Sequence, residues 1–156
     1  MTSYETVIER FMRKIKQDKD YFCINGVTDE EFEEILNRRS VELLDDAVNE
    51  LQPQVSVQQN VDFLNKDDLL ERFNFDLTPI EVDILSDMMV CKYFDEELIK
   101  LKTMQKYLGD DIKVFSPANE RRSYIEMIGY KREIFLSKIA NYNTINRLTG
   151  KFLLPY

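Results

Sequence analysis

The side chains able to do chemistry in this sequence are carboxylates, two thiols and a scatter of hydroxyls. None of them is grouped as a reaction needs. The chain has no histidine, so the commonest general base and metal ligand is missing outright. Its four glycines, at positions 26, 109, 129 and 150, lie too far apart to build a Gly-rich phosphate cradle. The run "TDEEFEE", from Thr28 to Glu34, gathers carboxylates without setting any pair in an apolar pocket, and acids at this position favour the positive end of a helix dipole. Asp110-Asp111 sit in "GDDIKVF", a pattern that reads as a surface loop. Catalytic, cofactor-binding and metal-ligating residues are therefore expected to be none, and an enzyme is disfavoured on residue inventory alone.

The two cysteines, Cys23 and Cys91, are too few for a disulfide framework and read as reduced thiols filling core space. The sequence opens without a basic-then-apolar leader and has no apolar run near the roughly 18 residues a membrane span requires. A soluble protein with no membrane partner is the expectation.

Charge divides the chain unevenly. Residues 1–20 carry five bases and four acids, residues 21–120 nine bases and 23 acids, and residues 121–156 seven bases and two acids. The body is acidic and the C-terminal end basic. A body of this sign gives phosphate-driven DNA binding no footing, and Arg121-Arg122 with Lys131-Arg132 form the one candidate basic patch. The imbalance reads either as a solvated face or as a tail that seeks an acidic partner.

The elements that would position these groups are helical nearly throughout, which predicts an all-α fold: a small bundle with a buried central helix, a long C-terminal helix and an extended C-terminal arm. Thr2 and Glu5 form a capping box, and Tyr4, Val7, Ile8, Phe11, Met12 and Ile15 recur at helical spacing. Thr28 and Glu31 form a second box, Val27 and Phe32 a staple, and Pro53 stops the helix that follows near Leu51. "PQVSVQQNVDF" reads as a loop or short extended segment. Asn65 is placed to cap a short helix from Lys66 to Arg72.

"LTPIE" is the clearest start signal, with Thr78 as cap, Pro79 first and Glu81 third. From Ile80 to Phe94 apolar residues surround the whole helical circumference, so this element needs a sheath on every side. A polar helix from about Asp95 follows, and Ser116-Pro117 opens the last one. In that last helix Ala118, Ile125, Ile128, Phe135, Leu136, Ile139 and Tyr142 form one stripe, and Met127, Tyr130 and Ile134 a second. Two apolar faces need two partners. The second is either an early helix of the same chain or a neighbouring subunit, in which case Arg121, Met127, Tyr130, Arg132 and Ile134 are the candidate interface. Arg121 and Arg132 fall within the first stripe and need acidic partners, inside the chain or across that interface.

The chain finishes on "TGKFLLPY", where Phe152, Leu153, Leu154 and Tyr156 crowd a stretch that is ordinarily polar. Burying these four side chains offers on the order of 6–10 kcal/mol before ordering costs. They fold back on the core or fill a partner's groove.

The ordered succession "DLTPIEVDILSDMMV", then "YF", an acidic glycine-bearing loop, "VFSPANE" and a long helix resembles the adaptor, or head–tail connector, proteins of tailed bacteriophages. The matching features are Asp76-Leu77, Glu81, Ile84-Leu85, Met89-Val90 and Phe115-Ser116 with Ala118-Asn119, and "YETVIERFMRKI" is similar as well. The chain departs from that pattern at Tyr93, where tryptophan is frequent, in its single loop glycine Gly109, in "PQVSVQQNV" and in residues 143–156. The resemblance implies a virion structural protein, assembled in the host cytoplasm and placed in the neck between capsid and tail. It implies a homo-oligomeric, dodecameric ring that joins the portal protein to a tail or stopper protein and lines the DNA channel.

On this view residues 1–142 are the helical adaptor domain and 143–156 a docking arm, with Arg147, Lys151, Phe152, Leu153, Leu154 and Tyr156 meeting the portal. An acidic lining, with Asp110 and Asp111 toward the lumen, would let duplex DNA pass without specific binding. The competing reading is an acidic helical module that binds and regulates a basic protein partner.

Overall fold

A computed structural model gives the protein an all-α architecture and describes residues 1–17, 29–108 and 118–153; side chains at 16, 17, 29, 31–38, 97, 98, 100–108 and 118–124 fall outside the description. Cys23, Asp110, Asp111, Leu154 and Tyr156 therefore lie outside the described residues, as does the side chain of Arg121. The order is α1 (Tyr4–Gln17), α2 (Asp29–Leu51), two 3-10 turns (Gln52–Gln54 and Val57–Gln59), β1 (Lys66–Asp67), β2 (Arg72–Phe73), α3 (Pro79–Leu108) and α4 (Ala118–Thr144).

The apolar stripe of α1 is buried as its spacing predicts: Tyr4, Val7, Phe11 and Ile15 lie inside, and Ile8 and Met12 pack against the core at its edge. The cap falls one residue later than the sequence suggests. Ser3 Oγ accepts the Glu5 N–H, while Thr2 is drawn away to pair with residues further along the chain. Thr2 N–H donates to the Phe75 carbonyl, its own carbonyl accepts from Phe73 N–H, and its hydroxyl accepts from Leu77 N–H. The N-terminus thus runs as an extended edge beside residues 73–77.

Residues 66–72 are not the expected helix. They form a two-stranded antiparallel hairpin in which Lys66 faces Phe73 and Asp67 faces Arg72. The Asp67 carboxylate accepts the N–H groups of Leu69 and Leu70, which holds a tight turn, and Glu71 takes a left-handed backbone at φ 45°. Asn65 pairs with Asn74 across the base of this hairpin through backbone and side chain, so it caps nothing. The edge made by Thr2 supplies what helical propensity could not outweigh.

The expected sheath around α3 is present. Ile84, Leu85, Met88, Met89, Val90, Cys91, Tyr93 and Phe94 are all buried, and α1, α2 and α4 each pack against this helix. Its first turn is the exception, because Ile80 is exposed. No break separates it from the polar stretch after Asp95: one helix runs from Pro79 to Leu108. Pro53 lies in the 3-10 turn that ends α2, and a second such turn makes the glutamine-rich stretch compact, not extended.

On α4 the two expected stripes resolve differently. Ile128, Phe135, Ile139 and Tyr142 are buried, but Ile125 and Leu136 from the same stripe are exposed. Of the second patch, Met127 and Ile134 are half-buried, Met127 against the core, and only Tyr130 stands out in solvent. A helix that lies along one principal neighbour, α3, buries a narrower strip than its sequence offers. Arg132 finds its acid inside the protomer, where its Nη2 meets both carboxylate oxygens of Asp95 at 2.8 and 2.6 Å. Among the described residues no helix is long and apolar enough to cross a membrane.

Candidate interaction surface

Glu81 is the centre from which the C-terminal end of the chain is organised. It stands at the third position of α3, where the capping box with Thr78 forms as expected: Thr78 N–H donates to Glu81 Oε2 at 2.7 Å, and Glu81 N–H to the Thr78 hydroxyl at 3.3 Å. Yet this carboxylate is wholly buried, at 0% exposure, and a cap needs no such depth. The chain supplies a counterion. Arg147 Nε donates to Oε1 at 2.5 Å and Nη2 to Oε2 at 2.8 Å, and the Tyr142 hydroxyl adds a bond to Oε1 at 2.5 Å. Burial would raise the pKa of Glu81, but the bonds from Arg147, Tyr142 and Thr78 outweigh it and hold the carboxyl below its ordinary 4.5. Burial, followed by the bond to Glu81, pushes the Tyr142 phenol far up.

Arg147 was expected as a charge on a docking arm. Its guanidinium is instead spent inside the protomer: besides Glu81 it donates to the Asp76 carbonyl at 3.0 Å and lies 5.6 Å over the Phe75 ring. Buried Gln59 completes the anchor. Its amide nitrogen donates to the carbonyls of Tyr142 and Ile145 at the end of α4, and its oxygen accepts from Arg147 N–H at 3.0 Å. Asn143 fastens the same helix end to Ser56 and Gln54.

Beyond this anchor the chain turns back on itself. Asn146 N–H bonds the Lys151 carbonyl at 2.8 Å, Leu153 N–H bonds the Thr144 carbonyl at 2.8 Å, and Ile145 bridges to Phe152. The Asn146 side chain accepts from the N–H groups of Leu148 and Thr149, and Gly150 takes φ +66°, a backbone few other residues adopt cheaply. The arm thus begins as a closed hairpin held by polar contacts. What it presents is apolar: Leu148 is 77% exposed and Phe152 80%, with Leu153 half-buried and Lys151 exposed.

A second charged cluster fixes the helices that carry this hairpin. Asp83 and Asp87, one turn apart on α3, receive Lys14 from α1 at 2.9 and 2.5 Å and Lys138 from α4 at 2.5 Å each, and Arg10 reaches Asp83 at 3.0 Å. Burial would raise Asp83, but the bonds from Lys138, Lys14 and Arg10 pull it well below its ordinary value. Depressed carboxylates contribute stability that is complete above their unfolded values of 4.5 for Glu81 and 3.8 for Asp83 and disappears as pH falls toward the folded values. Urea midpoints are therefore expected to be level from pH 7 to about 5 and to fall steadily below about pH 4.5.

Cys91 is a buried free thiol. Burial foremost, with Asp87, Asp95 and Glu50 nearby, pushes it up to about 11, so its thiolate is scarce at neutral pH. In a Cys23→Ser background, modification of Cys91 by a disulfide reagent at pH 8 is expected to run at least about 100-fold slower than in urea-unfolded protein.

Sequence reasoning placed Glu81 at its cap and left Phe152 either on the core or in a partner's groove, but it brought neither Tyr142 nor Gln59 to that cap and passed over Leu148. The available signal was the depth of Glu81, flanked by Ile80, Val82, Ile84 and Leu85, which demands a cation, and residues 143–156 hold only Arg147 and Lys151. Among the described residues no group of acids or cysteines could hold a metal ion. Comparison with known proteins returns no matching family model, no similar curated protein and no similar solved structure.

Proposed function

We propose that this protein is a structural subunit of a bacteriophage neck, a head–tail adaptor whose copies form a ring between the portal and the next neck or tail component. One observation carries the reading: a hairpin anchored by the Glu81–Arg147 pair holds Leu148 and Phe152 out in solvent. Two large apolar side chains held out on one anchored turn suit a surface that another subunit covers. The hairpin is the docking element, and with the segment that follows it fills a groove on an adjoining subunit of the neck. The helical class and the succession from Asp76 to Asn119 support the same reading. The acidic body has a use there as well, since carboxylates along a conduit keep duplex DNA mobile. Exposed Glu42, Asp45, Asp46 and Glu50 on α2 give such a surface.

The same acidic face favours one other reading, a module that masks a basic protein. The two part company in a single experiment. The chain is mixed with portal rings from its own phage and imaged by electron microscopy. Extra density encircling the portal end is expected, with no retention of duplex DNA by the free chain at moderate salt. Absence of added density, together with a small fixed complex on a basic protein, would refute the ring.

A further inference from the structure

The exposed tip of the β1–β2 hairpin lies beside a surface pocket with the complementary character to the C-terminal hairpin. Tyr4, Val41 and Leu44 wall a cavity of about 180 Å³ between the start of α1, α2 and the β1–β2 hairpin. A cavity of about 150 Å³ with apolar walls accepts a benzene ring, so a phenylalanine side chain fits this one. Its rim is acidic. Glu42, Asp45 and Asp68 surround a single cation, Lys66, which Asp45 and Asp68 already neutralise at 2.7 and 2.5 Å. The Tyr4 hydroxyl also donates to Asp68 at 2.7 Å, and its phenol is pushed up to about 12, chiefly by burial. Next to Asp68 in the chain, Leu69 is 96% exposed, and Leu70 is exposed beside it.

The C-terminal hairpin is the converse surface. Residues 144–156 contain Arg147 and Lys151 and no acid. Arg147 is committed to Glu81, so Lys151 is the cation this segment offers outward, and Phe152 follows it directly. An exposed base beside an exposed ring matches an apolar pocket with excess carboxylate at its mouth. We infer that the pocket walled by Tyr4, Val41 and Leu44 takes the C-terminal hairpin of a second copy of this chain, with Phe152 in the cavity and Lys151 on the Glu42 side of the rim. A donor hairpin and an acceptor pocket on different parts of one chain make a heterologous contact, which closes into a ring if the rotation permits.

The inference rests on the assembly reading above and names the adjoining subunit as a like copy. The probe is a fluorescein-labelled peptide of residues 148–156, titrated by anisotropy into full-length protein carrying Phe152→Ser, whose own hairpin cannot compete. Saturable binding is expected, weakened at least tenfold by Glu42→Lys or Val41→Ser in the protein and by added salt. A Lys151→Glu peptide is expected to bind unsubstituted rims at least tenfold more weakly and to regain affinity on the Glu42→Lys protein.

Binding indifferent to Glu42→Lys, or equal binding of a scrambled peptide of the same composition, would overturn the inference. So would peptide binding combined with a wild-type chain that stays monomeric at every concentration, because the hairpin then serves its own pocket. If the peptide fails on this protein while portal rings still recruit the chain, the assembly reading stands and the like-copy contact falls. If both fail, both fall.

Discussion

Arg147→Ala is expected to lower the stability of the protein by about 3–5 kcal/mol, the usual cost of stranding one partner of a buried ion pair. For a chain of this size that is a fall of roughly 6–20 °C in Tm. The reason lies in Glu81, which has no exposure through which water could replace the guanidinium. Thr78 and Tyr142 would still donate to it, but two neutral donors do not balance a buried charge. Placing Glu81→Gln on the same background is expected to recover part of the loss, since the amide oxygen can still accept from Thr78 N–H and a neutral group needs no counterion. Thermal unfolding followed by circular dichroism measures all three proteins. A loss under about 1 kcal/mol for the single substitution would mean that the pair is not closed in solution, and the hairpin would then be no fixed element.

The second expectation concerns assembly. Replacing Leu148 and Phe152 together with serine removes the two most exposed large apolar side chains of the C-terminal hairpin. Fully covering two such side chains contributes about 3–6 kcal/mol per contact, so each docking event should weaken by roughly 10²- to 10⁴-fold. The folded protomer should hardly notice, because its anchor is made by Arg147, Asn146 and Gln59. Sedimentation of the double variant with portal rings, beside an unchanged melting curve, is the measurement. Full recruitment of the variant would place the contact elsewhere on the chain.

What the sequence disclosed, and what it withheld, follows from the range over which each pattern acts. The α1 stripe and the apolar girdle of α3 were legible because spacing along one helix decides them, and Tyr4, Val7, Phe11, Ile15 and the residues from Ile84 to Phe94 lie where that spacing puts them. The hairpin at Lys66–Phe73 was illegible, since it depends on Thr2, some seventy residues earlier, forming an edge beside Phe73 and Phe75. Local composition there favours a helix, and a distant backbone partner overrides it. Exposure of Ile125 and Leu136 was hidden for a related reason: periodicity shows which residues share a stripe, not how wide a neighbour stands against it. At the anchor, the local patterns mark Glu81 as part of a cap, which it is, and Arg147 as a charge on the arm. Nothing in either local pattern announces a pairing across 66 positions.

The uninterrupted run of α3 from Pro79 to Leu108 gives the molecule a strut. Thirty residues of helix extend about 45 Å, comparable with the full diameter of a domain this size. The clasp at Glu81 sits in its first turn, and its opposite end leads into the segment before α4. A rod of that stiffness sets a constant interval between the two ends. In a stacked arrangement, the spacing between the layer above and the layer below would be written into one helix.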